Sequence, residues 1–161
     1  MEQFKTIIEI SAGLLTPVIA IIAIYIACQQ HKTNRDQLKS SLYNRRLKVF
    51  LALTDFIGEI SAMGDCDNKR INQYYFETRE SVFLFGKDIN DYLEEIYKKG
   101  DELHCWENKI KQIERFSDEK KTEILEKRGE VFHWLTRQIY DATPKFEKYL
   151  KFEEKKEIRL F

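Results

Sequence analysis

From Ile10 to Cys28 the chain runs nineteen residues without a charge, nine of them Leu, Ile or Val. As an α-helix that stretch is about 28 Å long, close to the thickness of a hydrocarbon core. Inside lipid every backbone N–H and C=O needs a partner within the segment, so a single span of this composition has to be helical. The expectation is a transmembrane helix over residues 10–28, preceded by a short segment at 1–9. Pro17 removes the donor for the Gly13 carbonyl and predicts a mild kink. The flanks set the orientation: Lys32, Arg35, Lys39, Arg45, Arg46 and Lys48 follow the span, whereas only Lys5 precedes it. Basic residues are retained on the cytoplasmic side, which places the C-terminal part in the cytoplasm. A cleaved signal is the competing reading, with Ile26-Ala27-Cys28 faintly like a lipoprotein site. It fits less well, because Tyr25 is bulky, the apolar run exceeds a normal signal core, and Glu2 and Glu9 dilute the positive start.

Within the span, Ala12, Thr16, Ala20, Ala23 and Ala27 fall inside an arc of about 80° at 100° per residue. Small residues let helices approach closely in lipid, which makes this stripe a candidate transmembrane interface for a second copy or a partner helix. The alternative is ordinary alanine content in an apolar span.

The remainder is long enough for one domain, expected over residues 29–152, with a fraying tail at 153–161. Six glycines and two prolines, with 34% charged residues, point to a helix-rich chain. Lys and Arg total 27, as do Asp and Glu. With the two signs interleaved, no basic field draws the chain to nucleic acid. The three cysteines, Cys28, Cys66 and Cys105, are odd in number and widely spaced, as suits a reducing compartment.

Apolar residues then recur at helical spacing. Leu38, Leu42, Val49, Leu53, Phe56 and Ile60 predict a long helix over about 34–63, broken by Gly64-Asp65-Cys66-Asp67-Asn68. A second helix is expected over 69–85, presenting Ile71, Tyr74, Tyr75, Val82 and Phe85, with Gly86 as a left-handed stop and Asp88 capping the next. Ile89, Tyr92, Leu93, Ile96, Leu103, Ile110 and Ile113 define a third. Ser117-Asp118 opens a fourth, with Ile124, Leu125, Val131, Phe132, Leu135 and Ile139 on its apolar side. Pro144 is expected to end it and to start a short helix over 145–150. Short connections between long helices favour antiparallel neighbours, so the expected fold is all-α: the N-terminal transmembrane helix followed by an up-and-down bundle of about four helices.

Candidate chemistry is sparse. His104, Cys105, Cys66 and His133 are the nearest approach to a metal set, but adjacent helical residues diverge by about 100°, so no metal or cofactor is expected. Cys105 reads as a small buried hydrophobe. No nucleophile elbow, phosphate loop or paired-cysteine motif occurs. Arg45 lies between Leu42 and Val49 on the apolar stripe, where a buried guanidinium needs a carboxylate such as Glu77, Glu80 or Asp91; without one it becomes an anion site. Tyr74, Tyr75, Tyr92 and Tyr97 are candidates to line a groove between the second and third helices.

The succession of an N-terminal span, Leu42-Tyr43-Asn44-Arg45-Arg46-Leu47-Lys48-Val49-Phe50, Phe83-Leu84-Phe85-Gly86 followed by Ile89, Tyr92 and Leu93, and Phe146-x-x-Tyr149-Leu150-x-Phe152 gives the chain a family likeness. It resembles a widespread group of small, uncharacterised bacterial single-pass inner-membrane proteins with a helical cytosolic domain. Asn44 departs from the acidic residue usual at its position. The resemblance implies a location and a fold, and carries no catalytic residue. The functional expectation is a noncatalytic interaction or scaffold module at the membrane, binding lipid and a protein partner or a second copy of itself. A membrane effector acting through oligomerised anchors and a membrane-face enzyme are the rival classes.

Overall fold

The computed structural model describes residues 2–151, with side chains at Leu15 and from Pro17 onward. The described residues are helical and contain no strand: α1 Glu2–Met63, α2 Asn68–Thr78, α3 Ser81–Leu84, α4 Lys87–Ile110, a 3-10 turn at Ile113–Arg115, and α5 Asp118–Leu150. The chain divides into two compact units, Met1–Leu42 and Tyr43–Phe161.

In the first unit α1 carries Pro17 inside the helix. Every side chain described there is exposed, among them Ile21 at 67% and Ile24 at 64%. Leu38 and Leu42, expected on the core stripe, are exposed as well, because they precede the residues that pack. Among the described residues no helix is long and apolar enough to cross a membrane. The expected anchor at 10–28 starts among residues whose side chains lie outside those described, as do Ala12 and Thr16 of the small-residue stripe. Ala20, Ala23 and Ala27 are exposed. The expected tail at 153–161 also lies outside the described residues.

The second unit is a bundle. Its part of α1 runs antiparallel to α2, as Arg45 meets Glu80 and Glu59 meets Arg70. α2 runs antiparallel to α4, with Tyr74 beside Leu93 and Ile71 beside Gly100. α4 in turn runs antiparallel to α5, since Asp88 meets Lys148 and Glu107 meets Arg128. The core is built from Leu53, Phe56, Ile57 and Ile60 of α1, Tyr74 of α2, Ile89, Ile96 and Leu103 of α4, and Leu135 and Phe146 of α5. Burial of these apolar side chains, each contributing about 1.5–3 kcal/mol, is what holds helices of modest propensity together.

Several boundaries differ from the sequence expectation. The helix expected over 69–85 is two, α2 and α3. The Thr78 hydroxyl donates to the Tyr74 carbonyl at 2.8 Å at the end of α2, and residues 79–80 form a turn before α3. Asp67 supplies the α2 cap by accepting from the Arg70 N–H at 2.7 Å. The left-handed glycine is Gly64, at φ 79°, and not Gly86, at φ −75°. Gly86 is itself the N-cap of α4, and Asp88 lies in the first turn. What Gly86 supplies is space: a Cβ there would lie 2.6 Å from the Tyr149 hydroxyl and 2.7 Å from an Asp88 carboxylate oxygen. Pro144 does not end α5, which continues to Leu150. The acceptor it abandons belongs to Tyr140, an exposed residue that water can serve, while Ala142 and Phe146 are fully buried on either side and hold the helix to the core. Val82, Leu125 and Ile139 stand exposed outside the expected core.

Candidate functional site

A groove of about 400 Å³ opens between α2–α3 and α4. Its floor is Tyr74, whose hydroxyl donates to the Leu93 carbonyl at 3.1 Å. Burial, with a smaller contribution from Tyr92, holds this phenol well above its ordinary pKa, so it stays a neutral donor. One wall is Tyr75, Arg79 and Val82; the other is Asn90, Leu93, Tyr97 and the Glu94–Lys98 pair, which closes at 2.6 Å. Tyr75 links the two walls, with its ring 5.7 Å from that of Tyr97. On its outer side it meets Phe76 edge-on at 5.8 Å, and the Arg79 guanidinium lies over Phe76 at 5.6 Å. The surface beside the groove is unusually apolar, with Phe83 85% and Val82 65% exposed. Asn90 donates through its amide nitrogen to the Gly86 carbonyl at 3.1 Å, which fixes the amide orientation and leaves its buried oxygen without a donor.

Of the four tyrosines expected at the groove, the structure brings together Tyr74, Tyr75 and Tyr97. Tyr92 is elsewhere. It lies about 100° around α4 from Leu93, turned to α5, where its hydroxyl donates to the Gln138 carbonyl at 3.3 Å and Lys145 sits over its ring. Burial first, then Asp141 and Glu95, push its phenol upward.

Arg45 pairs with Glu80 at 3.0 Å, but the pair is exposed, 50% and 54% respectively, so the expectation of a buried guanidinium is corrected. The adjacent Arg46 is the more enclosed residue. It donates to the Leu84 carbonyl at 3.0 Å and the Tyr149 carbonyl at 3.2 Å, and its guanidinium lies 5.6 Å from the Tyr149 ring. Tyr149 in turn accepts from the Gly86 N–H at 3.1 Å and donates to Asp88 at 2.8 Å. Its hydrogen bond, after that from Lys148, holds the Asp88 carboxyl below its usual range. Phe85 and Phe50 complete the cluster by packing on Phe146 at 5.2 and 5.3 Å. Arg46, Gly86 and Tyr149 thus meet at one place, which is a structural clamp joining α1, the α3–α4 turn and the end of α5. Spacing gave a signal for Arg46, which precedes Val49 and Leu53 by three and seven residues, though Arg45 shares the stripe too.

No three His, Cys, Asp or Glu side chains are grouped to hold a metal ion among the described residues. His104 bonds the Cys66 carbonyl at 2.8 Å and Asn108 at 2.9 Å, an arrangement that suits an Nδ1-protonated ring accepting from Asn108. His133 is exposed. Cys105, expected inside, is exposed, whereas Cys66 is buried. Burial, then the carboxylates of Asp67 and Asp65, push the Cys66 thiol up to about 12. At pH 8 its thiolate fraction is therefore about a thousandfold below that of an ordinary cysteine. Maleimide titration of the native protein is expected to modify Cys105 readily and Cys66 only after denaturation. Rapid native labelling of Cys66 would contradict this.

Neither a protein-family model, nor a curated protein, nor a solved structure matches this chain.

Proposed function

We propose that the chain is a membrane-anchored helical interaction module. The apolar run at 10–28 holds it in a bacterial inner membrane, the bundle lies on the cytoplasmic side, and the α2–α4 groove with its aromatic surround recruits a protein partner. The observation that supports this reading is apolar surface left unburied in two differently shaped places. One is a helix whose described side chains are exposed all round, from Leu15 through Ile26; the other is the groove with Tyr75, Phe76, Val82 and Phe83 on its outer edge. A helix apolar on every side suits lipid, whereas a concave aromatic site with a few polar groups suits a specific ligand. Confinement to a surface then raises the frequency of encounters without any added contact.

The test is membrane extraction from bacteria. The full chain is expected to remain in the membrane pellet after alkaline carbonate, with the bundle protected from protease in intact spheroplasts. The double substitution Ile21→Arg with Ile22→Arg, costing about 2.5–3.5 kcal/mol per charge at mid-bilayer, is expected to release it. A wild-type chain recovered in the soluble fraction would overturn the proposal.

A further inference from the structure

The shape and charge of the groove define its occupant, an inference that rests on the groove being the recruiting surface. The groove has a helical ridge on one side, Asn90, Leu93 and Tyr97 at i, i+3, i+7 of α4, and on the other Tyr75 of α2 with Arg79 and Val82 carried by the α2–α3 break and α3. The α4 ridge covers about two helical turns, roughly 10 Å, which is the length over which one face of an inserted helix presents side chains at i, i+4 and i+7.

Charge narrows the choice further. Lys98 is neutralised by Glu94, and Arg45 by Glu80 on the flank. Glu77 bonds Gln73 and lines the opposite side of α2, facing α1. Arg79 is left as the uncompensated cation of the groove: it makes no ion pair among the described residues and rests on the Phe76 ring.

We infer that the groove receives an amphipathic α-helix of a partner protein, with apolar side chains at i, i+4 and i+7 seated between Tyr75, Val82 and Tyr97 and a carboxylate on its flank paired with Arg79. The carboxylate selects among helices, and the aromatic walls supply most of the binding.

The experiment uses the full chain in nanodiscs of zwitterionic lipid and two synthetic helical peptides of equal length. Both carry leucines at i, i+4 and i+7; one has glutamates and the other lysines on the flank. Fluorescence anisotropy, corrected with empty nanodiscs, is expected to show the acidic peptide binding at least tenfold more tightly. Arg79→Glu is expected to reverse that order, and Val82→Glu to weaken both peptides at least tenfold. Arg79 and Val82 are exposed, so both variants should keep their thermal transitions. Equal affinity for the two peptides, indifference to Arg79→Glu, or binding no greater than to empty nanodiscs would overturn the inference. So would a photoreactive group at position 75 that couples only to lipid or to a second copy of the chain. Binding that depends on Val82 without the charge preference would remove the acidic helix and leave the interaction module standing. Failure of the carbonate extraction removes the module itself.

Discussion

Arg46→Met is expected to lower the unfolding free energy of the bundle by about 2–4 kcal/mol, because two carbonyl acceptors lose a charged donor at once and the stacked Tyr149 ring loses its cover. The measurement is the urea midpoint of the full chain in detergent, with Arg45→Met as the comparison. Arg45 makes an exposed ion pair with Glu80, so its removal should cost no more than about 1 kcal/mol. The contrast between neighbours is the sharp part of the forecast, since both are arginines on one helix. Equal effects would mean that the bonds from Arg46 to Leu84 and Tyr149 do not hold α1 to the far end of α5.

Phe56→Ala should be larger still, about 3–5 kcal/mol. The Phe56 ring is fully buried, stacked on Tyr74 at 4.4 Å, and fills the space above Gly100, whose absent Cβ would lie 2.8 Å from the ring edge. Gly100→Ala alone is expected to destabilise by about 1–3 kcal/mol, since overpacking against a ring that cannot retreat outweighs the gain in helix propensity. The side chain at 56 and a Cβ at 100 share one space, so the double variant Phe56→Leu with Gly100→Ala should cost less than Phe56→Leu and Gly100→Ala measured singly and added. Strict additivity in that cycle would contradict the packing.

Periodicity made much of the bundle legible. Val49, Leu53, Phe56 and Ile60 are buried where a 3.6-residue repeat puts them, and the Gly64 break is where α1 stops. Features set by a single side chain or by tertiary support were not legible. Nothing in the composition of 78–81, which has neither glycine nor proline, announces the break between α2 and α3. Pro144 misled because a proline ends a helix only when the surroundings do not hold both halves, and here Ala142 and Phe146 do. Leu38 and Leu42 continue the apolar stripe in sequence, but a stripe says which face would pack and not where a partner begins.

At the groove, Tyr75 and Tyr97 sit where facing helix surfaces would place them, and Tyr92 does not, since one step of 100° sends it to another helix. Arg79 was missed for a related reason. Its importance comes from the pairing of the charges around it, Glu94 with Lys98 and Glu80 with Arg45, and pairings across helices are not written in the spacing of one.

Four antiparallel passes return the chain to the pole from which it set out, so Arg46 near the start of the bundle and Tyr149 near its finish can grip each other directly. The grip draws on α1, the α3–α4 turn and α5, while the groove side chains Tyr75, Arg79 and Val82 take no part in it. Durability and the proposed recognition therefore draw on separate sets of residues, and a genetic screen should recover alleles that abolish one property while sparing the other.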